Sequence, residues 1–231
     1  MGVRLRIQNA WPRAAALAMA IVICAPPLGV ARADPVAHRT AAADSPGDAL
    51  QALMRQDFVN CANPRLSGEA QVKAAVNCRA DGFAGAPDVK LAAVMRAKAD
   101  YLRILLALSP SRCGKSLDRP DDRWPPDSPR VQAAGLKVLL AITDANVAGE
   151  TAPVRRRPAT ADDWRVVLSG MVARGVSPSE AEASIAEHLD GIALADRCRV
   201  RLAQFESVAN APGPVAGRIV AMLARNMRYP E

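Results

Sequence analysis

The longest helical pattern in this chain covers residues 87–108 and reads PDVKLAAVMRAKADYLRILLAL. Its large apolar side chains recur at steps of three and four residues, which places them on one face of an α-helix. These side chains are Leu91, Val94, Met95, Leu102 and Leu105. Proline suits the first turn of a helix, and the Ser-Pro pair at 109–110 ends the pattern. An apolar face of this length needs other elements to cover it, so the stretch predicts a core helix.

The rest of the chain shows the same period and no good run of alternating β-branched residues, so we expect an all-α protein. The patterns predict an irregular bundle of about seven to eight helices tied by two disulfides. The clearest helix start is SPSE at residues 177–180, which has an N-cap hydroxyl, a proline at the first helical position and a glutamate at the third. In the first predicted helix, the expected inward stripe consists of Leu50, Leu53, Met54, Phe58 and Cys61.

Residues 1–33 have the three parts of a secretory signal peptide. Three arginines give a positive start, an apolar stretch follows at residues 14–24, and Ala31 and Ala33 precede the expected cut. The apolar stretch is too short to cross a bilayer, which takes about 20 residues. We therefore expect Sec-type export, cleavage after Ala33, and a periplasmic or secreted protein without a transmembrane segment in its mature form.

Export changes the charge balance of the chain. Cleavage removes four of the 30 basic residues and none of the 23 acidic ones, which leaves 26 against 23 and lowers the net charge from +7 to +3. A charge of this size does not imply nucleic-acid binding, and we expect no nucleic-acid partner. Only 3% of the residues are aromatic, so the core must be aliphatic.

The mature length suits one domain that buries a core without help from a metal. We expect a disordered leader at residues 34–47 and a single helical domain at residues 48–228. Within this domain, the composition predicts a Pro-rich loop at residues 109–129 and a basic linker at residues 149–160.

Two segments offer candidate residues for surface binding. Trp124 lies in the middle of the Pro-rich loop, where an aromatic ring either folds back to hold the loop or binds a partner. Arg155, Arg156 and Arg157 lie in the linker, where they are either simply solvated or dock on an anionic surface.

Four cysteines remain after export, namely Cys61, Cys78, Cys113 and Cys198. An even number in an exported chain predicts two disulfides. The smallest gap is seventeen residues, which does not suit the close ligand pairs of a zinc site, so we expect no metal and no cofactor. Because three cysteines precede the basic linker and one follows it, one disulfide must join Cys198 to the first half of the chain.

An up-down-up arrangement of the first three helices would place Cys61 and Cys113 at one end and Cys78 at the other. Eleven helical residues span about 16 Å, whereas the two Cα atoms of a disulfide lie roughly 4.4 to 6.8 Å apart. This favours the pairs Cys61–Cys113 and Cys78–Cys198. The local pair of Cys61 with Cys78 stays open if the second helix is short or distorted.

The sequence shows no Gly-rich phosphate loop, nucleophile elbow or HExxH motif. His188 is the one histidine of the expected folded part, and no serine or cysteine nucleophile is placed to work with it. We therefore expect a non-catalytic binding or structural protein of the bacterial envelope or secretome. Its partner would be an envelope protein, a cell-wall polymer or an apolar ligand between helices.

One fragment supports a different function. The segment ESVANAP at residues 206–212 resembles the Glu-Ser motif of lytic transglycosylases, in which a glutamate at a helix end acts as the general acid on peptidoglycan. The resemblance covers these seven residues. It implies a peptidoglycan-cleaving enzyme in which Glu206 is the acid.

Overall fold

The structure, a computed structural model, describes residues 46–118, 125 and 128–229. Within these ranges the protein is all-helical, with nine α-helices, one short 3-10 helix and two disulfides, which confirms the predicted fold class. The helices are α1 Pro46–Cys61, α2 Gly68–Gly85, α3 Asp88–Leu108, α4 Pro110–Asp118, α5 Pro129–Thr151, α6 Ala161–Val172, α7 Pro178–Ile185, the 3-10 helix Leu189–Gly191, α8 Leu194–Asn210 and α9 Gly213–Arg225. The predicted signal peptide, most of the predicted leader, and Trp124 lie outside the described residues.

Helix α3 is central, as its apolar period predicts. Leu91 and Val94 are fully buried, and the helix packs against α5, α8 and α9. Trp164 from α6 and Ile219 from α9 join the same core cluster. Full burial of one such aliphatic side chain contributes about 1.5–3 kcal/mol, so this cluster is the main source of stability.

Local capping signals fix the starts of α6 and α7. Ser177 and Glu180 form the capping box that the sequence predicts for α7, and Thr160 and Asp163 form a second one at α6. Arg218 of α9 donates from Nε to the carboxylate of Asp163 at 2.8 Å, and its hydrogen bonds hold the pKa of that carboxyl well below its usual range. The start of α6 is thereby also joined to α9.

Helix α4 lies inside the segment 109–129, which the sequence analysis assigned to a loop. Pro110 stands at the first helical position, where a proline starts a helix instead of breaking it. Gly114 lets α4 lie directly on α8, because a Cβ atom there would come within 1.8 Å of the Leu194 carbonyl oxygen. The predicted leader is also too long by two residues, since α1 begins at Pro46.

The disulfides join Cys61 to Cys78 and Cys113 to Cys198. The prediction that Cys198 is tied to the first half of the chain is confirmed, whereas the preferred pairing of Cys61 with Cys113 and Cys78 with Cys198 is wrong. The up-down-up assumption fails because α1 packs mainly on α5 and makes little contact with α2. Helix α2 also continues to Gly85, so Cys78 lies in the middle of α2, where the end of α1 meets it.

Helix α5 is the one described helix that is long and apolar enough to cross a membrane. Its mean hydropathy is 1.2 over an 18-residue window, of which 22% is buried. A helix that packs against α1, α2 and α3, as α5 does, passes the same test of length and composition. The finding is therefore weak evidence of a membrane span.

Candidate functional site

The inner side of helix α1 combines two half-buried leucines, Leu50 and Leu53, with the buried residues Asp57 and Cys61. Asp57 and Cys61 lie one turn apart, and each is only 6% exposed. Oδ2 of Asp57 accepts a hydrogen bond from Nε of Arg79 at 2.7 Å, and Cys61 is bonded to Cys78. One ion pair and one disulfide thus hold α1 on α2, while α1 packs mainly on α5.

Three large apolar side chains of α1 are open to solvent. Phe58 is 64% exposed, Val59 72% and Met54 37%; we call these three side chains the α1 apolar face. Of the predicted inward stripe, Cys61 is buried and Leu50 and Leu53 are half-buried, whereas the inward positions of Met54 and Phe58 are wrong. Successive residues of a helix are turned by about 100°, and the contacts of Asp57 and Cys61 set the buried side of α1.

A cleft of about 590 Å³ lies where α1, α2 and α5 meet. Its walls carry mostly polar or charged side chains, together with Cys78 of the first disulfide: Asn60, Cys78, Asp81, Glu150, Thr151 and Pro153. Two glycines bring α2 and α5 together at this place, because a Cβ atom on Gly149 would lie 1.8 Å from the carbonyl oxygen of Gly82. The helix crossing that forms the cleft therefore requires Gly149.

Glu150 lines the cleft and also lies beside the disulfide. Its Oε2 atom accepts a hydrogen bond from Nδ2 of Asn60 at 2.6 Å, and its Oε1 atom lies 3.1 Å from Sγ of Cys61. A disulfide sulfur carries no hydrogen and can only accept, so the second contact is a hydrogen bond when Glu150 is protonated. Burial raises the pKa of the Glu150 carboxyl, which favours that protonated form.

Neighbouring charges act on Glu150 in both directions. The carboxylate of Asp57 also raises the pKa of Glu150, while the hydrogen bond from Asn60 and the charge of Arg79 lower it. The Oδ1 atom of Asp57 is buried and has no hydrogen-bond partner. The junction therefore holds two carboxyl groups and a disulfide within one small volume.

Among the described residues, the group that comes closest to a metal site consists of Cys61, Cys78 and Glu150. Sulfur and carboxylate atoms of Cys61, Cys78 and Glu150 all lie within 4.8 Å of one another. Both sulfurs are bonded to each other, however, and metal ions bind thiolates. In its oxidised form the group is a carboxyl group beside a disulfide, and we assign no metal to it.

Glu206, the acid of the alternative function, lies on the last turns of α8 and is tied to two arginines. Its Oε1 atom accepts a hydrogen bond from Arg103 at 2.6 Å and its Oε2 atom one from Arg174 at 3.1 Å. The hydroxyl of Ser207, the next residue, donates to the carbonyl of Ala203. A general acid must direct a proton at its substrate, and here guanidinium groups engage both carboxylate oxygens of Glu206.

The triple arginine of the linker divides into one buried and two exposed residues. The side chain of Arg156 is only 5% exposed, and it donates to Oδ1 of Asp88 and to the carbonyl oxygen of Ala84. The predicted surface role is therefore wrong for Arg156, because the linker folds back over the start of α3. Arg155 and Arg157 are exposed, as that prediction requires.

A second titratable group with a shifted pKa lies between α3 and α8. Burial, and then the positive charge of Arg201, lower the pKa of Lys98 from 10.5 to about 8. Its ammonium nitrogen lies 5.6 Å from the centre of the Phe205 ring. Lys98 does not line the α1–α2–α5 cleft, so we treat it as a feature of the core.

The sequence analysis names Cys61 and Cys78 but misses Glu150. The glutamate is 89 residues from Cys61 in sequence, and the packing of α1 on α5 alone brings them together. No local motif could have shown this contact. No family model matches the chain, and no curated protein or solved structure is significantly similar to it.

Proposed function

We propose that this protein is an exported, non-catalytic binding protein of the bacterial envelope or secretome, and that the α1 apolar face contacts its partner. The observation that carries the proposal is the exposure of two large apolar side chains of α1, Phe58 at 64% and Val59 at 72%. Export is supported by the two disulfides, since such bonds persist in oxidising compartments, and by the signal-peptide pattern of residues 1–33.

The chemistry of the α1 apolar face favours a protein partner. Phe58, Val59 and Met54 offer no hydrogen bonds, whereas a cell-wall polymer presents hydroxyl and amide groups that need them. An apolar small ligand needs a concave pocket, and these side chains stand on the convex outer side of a helix. An exposed aromatic group with a polar rim, here Arg55 and Asn60, is typical of protein interfaces. The partner should therefore be another envelope protein with an apolar patch.

Site-specific photocrosslinking in intact cells tests this proposal. A photoreactive amino acid replaces Val59 in one variant and Val89 in the control variant, because Val89 of α3 is also a highly exposed helical valine, at 67%. We expect one discrete protein adduct from position 59 and none of that mass from position 89. The same adduct should be lost when Phe58→Ser is added to the position-59 variant.

The affinity of the purified protein for its purified partner then gives the size of the effect. Loss of a central aromatic contact costs about 2 kcal/mol or more, so Phe58→Ser should weaken the complex about 30-fold, while Val89→Ser should leave its affinity unchanged. Equal crosslinking from both positions would contradict the proposal. So would an adduct with a second copy of the chain, or retention on peptidoglycan that Phe58→Ser does not affect. Clearing of a cell-wall suspension that disappears in Glu206→Gln would favour the transglycosylase-like alternative.

A further inference from the structure

The two disulfides differ in what can reach them. Cys113 and Cys198 are both 0% exposed and lie in an apolar cluster with Leu102, Leu105 and Val131. Cys78, by contrast, is only partly buried and lines the α1–α2–α5 cleft, while its partner Cys61 is buried. A reductant can therefore approach the first disulfide in the folded protein, and it must approach from the side of Cys78.

We propose that the Cys61–Cys78 disulfide is redox-active, exchanging with an exported dithiol through Cys78 while Glu150 supplies a proton to Cys61. The inference rests on the cleft and the contacts of the disulfide and does not depend on the proposed function. It adds a chemical activity, thiol–disulfide exchange, to a region that the sequence analysis treated as purely structural.

The positions of the two sulfurs indicate which one is attacked and which one leaves. In thiol–disulfide exchange a thiolate attacks one sulfur and the other leaves, and the rate depends on access to the first and stabilisation of the second. The accessible sulfur is that of Cys78, so the sulfur of Cys61 leaves. The leaving sulfur is the one that lies 3.1 Å from Oε1 of Glu150.

The steps balance as follows. One thiolate of the dithiol attacks Sγ of Cys78, the bond between Cys61 and Cys78 breaks, and its electron pair stays on Cys61. The Cys61 thiolate takes the proton from Oε1 of Glu150, which becomes a carboxylate. The second thiol of the reductant loses its proton to water and, as its thiolate, displaces Cys78 from the mixed disulfide. The reductant leaves as a disulfide, Cys61 remains as a thiol, and the released Cys78 thiolate takes up a proton from water.

Of the charged groups around Glu150, one favours its protonated form and another favours the carboxylate that the proton transfer leaves. From α1, Asp57 favours the protonated acid, and the amide of Asn60 holds the other carboxylate oxygen in place. From α2, Arg79 favours the carboxylate that forms after the transfer, and Asp81 lies on the wall of the cleft. Burial also makes the carboxyl a better proton donor near neutral pH than an exposed glutamate.

Graded reduction of the full mature chain tests the proposal. Dithiothreitol is added without denaturant, the reaction is quenched with an alkylating agent, and both cysteine pairs are followed by peptide mass mapping. We expect the Cys61–Cys78 pair to be reduced about 10-fold faster than the buried pair or more. With the monothiol glutathione, the first mixed disulfide should form on Cys78. Equal reduction rates for the two pairs, or a first adduct on Cys61, would overturn the proposal.

The role of Glu150 has its own readout. The reduction rate of the Cys61–Cys78 disulfide is divided by the thiolate concentration of the reductant and measured against pH. Any pH dependence that remains then comes from the protein's proton donor. We expect this normalised rate to fall as pH rises in the wild-type chain, to be about 10-fold lower at neutral pH in Glu150→Gln, and to be independent of pH in that variant. Asp81→Asn, in the same cleft but without the sulfur contact, is the matched control and should follow the wild type. A flat wild-type profile would overturn the role of Glu150 even if the Glu150→Gln variant did not fold.

Discussion

Asp57 and Phe58 are adjacent in α1 but differ sharply in exposure, with 6% of Asp57 and 64% of Phe58 exposed. The apolar stripe of a surface helix usually faces the core, and in α1 Leu50 and Leu53 are half-buried while Phe58 is open to solvent. Two bonds to α2, the ion pair of Asp57 with Arg79 and the disulfide of Cys61, hold α1 this way round. The 17-residue separation of the disulfide corresponds to about 3 kcal/mol of stabilisation, because the cross-link restricts the unfolded chain. The function and the redox chemistry proposed above both follow from how α1 is held.

The linker arginines give a stability prediction with a built-in control. Arg156→Ala removes hydrogen bonds to Asp88, to Ala84 and to Ala86 and leaves carbonyl groups without partners. We expect it to lower the free energy of unfolding by about 3 kcal/mol. Arg157→Ala, one residue away and exposed, should change it by under about 0.5 kcal/mol. Urea unfolding followed by circular dichroism measures both, and equal effects would show that Arg156 is solvated as the sequence alone suggests.

Two glycines of α5 should respond in opposite ways to the same substitution. Gly149→Ala places a Cβ atom 1.8 Å from the Gly82 carbonyl oxygen, so α2 and α5 must separate, at a cost of about 3 kcal/mol. At Gly135 the nearest atom would be 3.9 Å away, and Gly135→Ala should stabilise the protein by up to about 1 kcal/mol through its better helix propensity. Thermal unfolding of the two variants provides the comparison. A harmless Gly149→Ala would contradict the close crossing that forms the cleft.

Lys98 predicts a pH dependence of stability. Because burial and Arg201 lower the pKa of Lys98 from 10.5 to about 8, the unfolded chain binds more protons than the folded protein between these two values. Stability should therefore rise, as far as Lys98 contributes, when pH increases from about 8 to 10.5. Lys98→Met should remove this rise and stabilise the protein at pH 7 by on the order of 2 kcal/mol. Lys137→Met, at an exposed position of α5, should do neither. Urea unfolding at a series of pH values measures the effect, and a Lys98→Met variant that keeps the rise would refute the assignment.

Local sequence signals were sufficient for the parts of the fold that local physics determines. The apolar period of α3 and the capping residues Ser177 and Glu180 of α7 act within one or two helical turns, and the structure has both. Cysteine parity was also sufficient to tie Cys198 to the first half of the chain. These predictions needed no knowledge of how distant segments pack.

The candidate site could not be predicted, because each of its contacts joins segments far apart in sequence. Glu150 is 89 residues from Cys61, and Arg156 is 68 residues from Asp88. The rotation of α1 depends on Arg79, which no period within α1 can reveal. The apolar period of α1 therefore places Leu53 and Cys61 on the correct side of the helix but does not show that Phe58 is exposed.

The central claim, that α1 presents an uncovered apolar face, is tested most directly by fluorine NMR of the mature protein with fluorinated phenylalanine. The chain has three phenylalanines, and a soluble neutral paramagnetic agent broadens each signal according to its exposure. The account predicts strong broadening for Phe58, which is 64% exposed, and almost none for Phe83, which is 3% exposed. Phe58→Leu and Phe83→Leu variants assign the signals. A Phe58 signal as protected as that of Phe83 would show that the face is covered within the chain itself and would contradict the account.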